Sequence, residues 1–240
     1  ATGNLSGVLV SLGLLAVNLV SIIPIYRRTH RRVSGGQVYR LFFANILGDN
    51  THYARLIMAM RKIDPDLILL IEVRPNHLEH LLPALSDYPY HFFQPDVNNF
   101  GLAILSRLPL EFAQALAFDE TCTPALIARL RLDEIPITLI GIHPYPPKSR
   151  SQAVQRNHQL QLTADYVSAQ PGELVLAGDF NSTSWSHAFN QFLKQSRLLD
   201  SRQGNGLQPT WPAGNPLLRI HIDDVLSTPG NVIRARRLGM

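Results

Sequence analysis

Beyond residue 37 the chain alternates short apolar runs with amphipathic stretches, the pattern of an α/β or α+β domain. Runs rich in aliphatic and β-branched residues predict strands over 38–44, 67–71, 101–106, 125–132, 137–142, 174–177 and 219–226. Between them Tyr53, Leu56, Ile57, Met60 and Ile63 recur at helical spacing, with Asn50 or Thr51 placed to cap. Leu78, Leu81, Leu82 and Leu85 repeat that spacing after Pro75, and two more helices are predicted over 151–169 and 185–195. Proline and glycine gather at 144–147, 171–172 and 204–216, where loops are expected. No internal repeat or low-complexity tract interrupts this order.

The amino-terminal pattern differs. From Leu5 to Tyr26 the chain has 22 residues without a charge. At 1.5 Å per residue a helix of that length spans roughly 30 Å, the hydrocarbon thickness of a bilayer. The run ends in Pro24 and Tyr26 and is followed by RRTHRR, an aromatic and arginines in the order found at a membrane interface. No basic residue precedes it, unlike a secretory signal. Residues 1–33 are therefore expected to form a membrane helix with a basic juxtamembrane segment, spanning through 5–26 and placing the protein at the cell membrane, its side undetermined. A buried core helix is the alternative, given Asn18 and the small residues in the run. Ser34-Gly35-Gly36 reads as a short linker to a domain covering 34–240.

Composition narrows the function classes. With 45% apolar and 17% charged residues, the chain is not a disordered segment. A single cysteine, Cys122, excludes a disulfide framework and a cysteine-rich zinc site. The net charge of +4 comes from one place: Arg27, Arg28, Arg31, Arg32 and Arg40 precede the first acid, Asp49. Past residue 40, 17 basic residues face 18 acidic ones, so the domain body has no overall bias toward a polyanion.

The candidate chemistry lies where apolar runs end. The 38–44 run meets Asn45, 67–71 meets Glu72, 137–142 meets His143, and 174–177 meets Gly178-Asp179-Phe180-Asn181; Asp223 and Asp224 lie in the last run. Polar groups at strand ends converge on one rim of a sheet, where ligands of α/β proteins bind. Carboxylates, carboxamides and an imidazole there suit a hard cation and a phosphate, because Mg²⁺ takes only one or two carboxylates and keeps waters that phosphate oxygens replace. Each residue alone is an ordinary turn former.

Six segments in this order resemble the endonuclease/exonuclease/phosphatase superfamily, the metal-dependent phosphoesterases related to deoxyribonuclease I. They are FFANIL (42–47), DPDLILLIEV (64–73), FGLAILSRLPL (100–110), GIHPYPP (141–147), LAGDFNS (176–182) and IDDVLS (222–227). The nearest likeness is to membrane-anchored bacterial members. The resemblance implies a four-layer α/β sandwich, two mixed sheets face to face with helices outside, preceded by the hydrophobic helix. It implies an Mg²⁺-dependent hydrolase, Mn²⁺ being possible, with Glu72 and Asn45 as metal ligands. Asp179 would orient or deprotonate water, Asn181 would bind the scissile phosphate, His143 would donate to phosphate or leaving group, and Asp223 would orient a catalytic histidine. The expected substrate is a phosphodiester, nucleic acid or phospholipid head group, and no protein partner is expected.

Two departures from the family stand out. Its second histidine lies in a Ser-Asp-His motif after a strand like 231–238, whereas this chain stops at Gly239-Met240, so a fragment lacking the last strand and motif is expected. Asp224 stands where relatives often carry histidine or an aromatic residue. A catalytically silent, membrane-anchored binding domain with the same fold is the alternative. Arg156 and Gln159 resemble a recurring Arg-x-x-Gln of the family or simply form a solvated face. Asn98 and Asn99 could reach the site or serve a plain loop, and Trp211 is expected to cap the core, with lining of the substrate groove as the alternative. His77 and His80 have zinc-like i, i+3 spacing without an evident third ligand. Ser182 is no nucleophile elbow, because no G-x-S-x-G occurs.

Overall fold

The computed structural model describes residues 3–26, 37–215, 217–231 and 233–239. Two mixed sheets form the body. The first joins β1 (Leu41–Asn45), β2 (Leu67–Ile71), β4 (Leu102–Ser106) and β3 (Tyr90–Gln94) in the order β1-β2-β4-β3. The second joins β5 (Leu110–Leu116), β6 (Ala125–Leu132), β7 (Ile135–Ile142), β8 (Glu173–Asp179), β9 (Leu199–Asp200) and β10 (Asp223–Ser227) in the order β5-β6-β7-β8-β10-β9. Helices α2 (Tyr53–Ile63) and α3 (Pro75–Leu81) cover the first sheet, and α4 (Arg150–Ala169) and α5 (His187–Ser196) cover the second.

The layering follows from strands whose two faces are both apolar. In β2 every residue of LILLI is buried. Leu67, Leu69 and Ile71 meet Leu126, Ala128, Leu130, Leu139 and Ala177 of the opposite sheet, while Ile68 and Leu70 meet Met60, Leu81, Leu85 and Tyr88 on the helix side. A strand buried on both faces reads as an unbroken apolar run rather than an alternation. At Gly141 the sheets pack too closely for a larger residue: a Cβ there would lie 2.8 Å from Leu69 Cδ1. On the far side Leu160, Ala164 and Val167 of α4 join Phe189 and Phe192 of α5 against Ile140, Ile142, Leu174, Leu176 and Leu226.

The structure corrects several expectations. Neither Asn50 nor Thr51 caps α2; His52 takes the cap position without a side-chain bond, and Asn50 Oδ1 accepts instead from His52 N at 2.9 Å. The strand expected over 219–226 starts only at Asp223, and Ile220 forms an isolated bridge with Trp211. Trp211 is 56% exposed rather than a core cap. Strands β3 and β5 had no predicted counterpart. His77 and His80 do not converge on a metal: His77 Nδ1 accepts from Arg74 N at 3.0 Å and its Nε2 faces Asn50 O at 3.1 Å, while His80 stacks on Tyr53. A carbonyl only accepts, so His77 is the neutral Nε2–H tautomer, and burial pushes its pKa down.

The segment Gly3–Tyr26 is helical (α1), and Val8, Leu9, Val10 and Leu12 on it are exposed. Its end is tied to the domain by Gly204 N and Gly206 N, which donate to Ile25 O at 2.8 and 3.2 Å. Among the described residues no helix is long and apolar enough to cross a membrane. The expected span over 5–26 is therefore not shown by the described residues. The basic segment 27–33 lies outside the described residues.

Asp224 is fully buried on the face of β10 away from the rim and serves as the hub of an ionic cluster. Its Oδ1 lies 2.7 Å from His221 Nε2, 3.3 Å from Arg202 Nε and 3.4 Å from Arg236 Nη1, and Arg202 also pairs with Asp200. Burial alone would raise its pKa; the His221 hydrogen bond and the charges of His221, Arg202 and Arg236 outweigh burial and hold it below the ordinary value. Removing one member of a buried cluster strands the others. Asp224→Ala is expected to cost about 3–5 kcal/mol in urea unfolding. A loss below about 1 kcal/mol would contradict the cluster's structural role.

Candidate active site

The sheet topology brings the polar strand ends together. β1 and β2 are parallel, with Asn45 opposite Ile71, so Asn45 and the next residue after β2, Glu72, emerge side by side. β7 and β8 are parallel, so His143 and Asp179 leave the second sheet at the same edge. β10 runs antiparallel to β8 and begins with Asp223 opposite Asp179. Gly178 lets β8 close on β7, since a Cβ there would fall 2.3 Å from Ile142 O.

The two sheets meet through Asn45. Its Nδ2 donates to Glu72 Oε1 at 2.7 Å and lies 3.3 Å from Asp179 Oδ2. Gly48 N donates to the other Glu72 oxygen at 2.9 Å. Glu72 has φ +61° and Asn181 φ +48°, left-handed conformations that turn both side chains off their strand ends. Asp179 Oδ1 accepts from Asn181 N at 2.8 Å, and Asn181 Nδ2 donates to Pro144 O at 3.0 Å. His143 Nε2 sits 3.8 Å from Glu72 Oε1 and 4.0 Å from Asp179 Oδ2. His143 Nδ1 faces Asn99 O at 3.1 Å, so Nδ1 carries the proton and a neutral ring presents a lone pair at Nε2.

Thus Asn45, Glu72, His143, Asp179 and Asn181 share one rim of the sandwich. Asp223 lies beside Asp179, with Thr210 as its side-chain partner and a buried Oδ1 that has none. The neighbouring histidine, His221, bonds Asp224 rather than Asp223. Asn99 reaches the site, but by its carbonyl; its Oδ1 accepts from Arg74 Nε at 2.9 Å. Ser182 is buried against Ser186 at 2.5 Å, beside the cap of α5. Gly48, Arg74 and Thr123 also shape the site, and none of them is a candidate from the sequence. A glycine after a strand and an arginine two residues past Glu72 are weak signals, and Thr123 offers none.

The electrostatics are unbalanced. Burial pushes the Asp179 carboxyl well above the ordinary range, and the charges of Asp223 and Glu72 push it further. Asp223 is raised by its own burial. Burial lowers the pKa of His143, against the pull of Glu72. Among the described residues no three His, Cys, Asp or Glu side chains enclose a metal ion. A hard cation that keeps its waters needs only one or two carboxylates, however. The orphaned Asp223 oxygen and the mutual repulsion of Glu72, Asp179 and Asp223 fit such an ion. Asp223→Asn removes one of the repelling charges. It is expected to raise the melting temperature of the metal-free protein by about 2–4 °C, the equivalent of about 1 kcal/mol, while lowering turnover. A fall in melting temperature would contradict the charge imbalance.

Comparison with known proteins agrees with this architecture. No curated protein matches the sequence. D. rerio TDP2, crystallised with a single-strand DNA product, is similar at 18% identity with a TM-score of 0.67, over 79% of this chain and 83% of that one. Sphingomyelinase C from Streptomyces griseocarneus is 19% identical with a TM-score of 0.63, over 82% of this chain and 86% of the other. A β-hairpin deletion mutant of beta toxin from Staphylococcus aureus is 17% identical with a TM-score of 0.61, over 80% and 87%. At these identities the likeness shows a shared fold. The sequence itself matches the Endonuclease/Exonuclease/phosphatase family across residues 42–239, and the chain belongs to that family.

Proposed function

We propose that the protein is a divalent-metal-dependent phosphoester hydrolase, with Mg²⁺ the expected ion and Mn²⁺ an alternative, cleaving a phosphodiester by in-line attack of water. The observation that carries this reading is the gathering of Glu72, Asp179 and Asp223 beside Asn45, Asn181 and His143, with the charge of the carboxylates uncompensated. Unpaired buried charge costs stability. A silent binding domain would gain by losing it, and its retention supports chemistry.

Glu72, with Asn45, would hold the cation, and the N–H groups of Asn45 and Gly48 fix the plane of the Glu72 carboxylate. Once bound, such an ion draws charge from a phosphoryl oxygen. Asp179 has Oδ1 committed to Asn181 N, leaving Oδ2 to orient water and accept its proton. Asn181 spends one amide proton on Pro144 O and keeps the second for a phosphate oxygen. His143 as a neutral ring accepts at Nε2. It donates to phosphate only as the imidazolium, which burial opposes and the Glu72 carboxylate 3.8 Å away favours. Asp223 adds negative charge beside Asp179.

The substrate class is a nucleic acid or a phospholipid head group. The DNA product in D. rerio TDP2 supports the first and the sphingomyelinase C of S. griseocarneus the second. The purified protein is expected to hydrolyse bis(p-nitrophenyl) phosphate with Mg²⁺, to stop in EDTA, and to lose about 10³-fold in kcat/KM as Glu72→Gln. Full activity in EDTA or in the variant would contradict the reading. Single-stranded DNA and sphingomyelin vesicles compared at rising salt separate the substrates, because nucleic-acid turnover falls steeply as phosphate contacts are screened.

Anchoring to the cell membrane through residues 5–26 is part of the same proposal, supported by the exposed Val8, Leu9, Val10 and Leu12 of α1. Alkaline extraction of membranes is expected to leave the protein in the pellet; release into the supernatant would sink this part.

A further inference from the structure

Helix α4 carries two polar side chains, Arg156 and Gln159, that face the loops bearing the site residues. Gln159 is fully buried, and its whole amide is spent on one residue: Oε1 accepts from Thr123 N at 3.2 Å and lies 2.9 Å from Thr123 Oγ1, and Nε2 donates to Thr123 O at 3.0 Å. Thr123, just ahead of β6, has one hydroxyl proton, and of its two acceptors His143 O at 2.7 Å is nearer than Gln159 Oε1 at 2.9 Å, so the hydroxyl donates to His143 O. One helical turn earlier Arg156 donates through Nη1 to Asn181 O. Among the described residues Arg156 has no carboxylate partner; its other bond is to Asn157 Oδ1 at 3.0 Å. Asn181 Nδ2 in turn holds Pro144 O, next to His143, at 3.0 Å.

These bonds close a ring: Gln159 to Thr123, Thr123 to His143, Pro144 to Asn181, Asn181 to Arg156, and back along one turn of α4. Every link is made to backbone on at least one side, so the ring fixes main chain rather than rotamers. The His143 ring is then aimed by Asn99 O and packed against Phe100, centroids 5.6 Å apart. A buried glutamine is a costly choice for a helix face that packs on a core, where leucine would serve. Ordinary packing gives no reason for the amide or for the unpaired guanidinium. Placement of two loops to within a fraction of an ångström does, since a 1 Å misplacement far from the chemistry costs about 10²-fold in rate.

We propose that Thr123, Gln159 and Arg156 are positioning residues: helix α4 clamps the His143 and Asn181 loops through one closed ring of hydrogen bonds and so sets the catalytic geometry. The inference rests on the hydrolase reading for its rate effect, but not for its structural one. Loss of a link leaves His143 and Asn181 free to drift apart while Glu72 and Asn45, held by the other sheet, keep their places.

The test compares Thr123→Val, Thr123→Ser and Gln159→Leu in the full chain. With bis(p-nitrophenyl) phosphate and Mg²⁺, Thr123→Val and Gln159→Leu are expected to lower kcat about 10- to 100-fold with KM changed by no more than about twofold. Thr123→Ser, which keeps the hydroxyl, is expected to stay near wild type. In parallel, ¹⁵N NMR of the His143 ring without substrate should show shifted resonances in the Val and Leu variants and not in the Ser variant. Equal kcat and unmoved ring resonances in a folded Thr123→Val protein would overturn the proposal, as would identical losses in the Val and Ser variants. If Gln159→Leu fails to fold, the isosteric Thr123→Val decides. If wild type hydrolyses nothing, the hydrolase reading fails alone and the ring resonances still decide the clamp.

Discussion

Face-to-face packing of the two sheets is the constraint on which everything else rests. It places β1 over β8 and β2 over β7, so the polar residues that end those strands have no choice but to share a rim. The same packing removes them from water. Asn45 hydrogen-bonds acids from both sheets, Glu72 on its own and Asp179 on the other, and His143 lies between the same two carboxylates. Carboxylates brought together this way repel, and burial magnifies the repulsion. The site is therefore a built-in charge imbalance, whereas the buried Asp224 cluster on the other face of β10 has its arginines to balance it.

The backbone carries a second load at the same place. Of the seven non-glycine residues with positive φ among the described residues, four surround the site: Leu47, Glu72, Asn99 and Asn181. Each such conformation costs of order 1–3 kcal/mol and persists only where neighbours over-determine it. Those neighbours are visible: Gly48 N and Asn45 on Glu72, Arg74 on Asn99, Arg156 and Pro144 on Asn181. Clustering of strain and of unpaired charge on one rim is what distinguishes this edge of the sandwich from the opposite one.

Much of this was legible because the sandwich leaves a simple trace. A strand buried on both faces is an apolar run, as β2 is, and β2 and β6 match the expected 67–71 and 125–132 residue for residue. The site residues stand out as the polar stops of such runs. Strands at sheet edges leave no such trace: β3 (Tyr90–Gln94) and β5 (Leu110–Leu116) are half exposed, and YHFFQ and LEFAQAL do not read as core. Adjacent aspartates were ambiguous until the period-2 alternation of β10 sent Asp223 toward the rim and Asp224 into the arginine cluster. Thr123 was beyond reach, because its role depends on a hydroxyl meeting a carbonyl 20 residues away. Trp211 misled because an aromatic between prolines signals burial only if the segment packs, and here it stands out from the fold.

Calorimetric titration of the metal-free protein with Mg²⁺ tests the central claim most directly, since the imbalance of Glu72, Asp179 and Asp223 calls for a cation whatever the substrate proves to be. One saturable site per chain is expected, abolished in Glu72→Gln with the fold intact. No binding at millimolar Mg²⁺ and Mn²⁺, or equal binding by wild type and Glu72→Gln, would contradict the account.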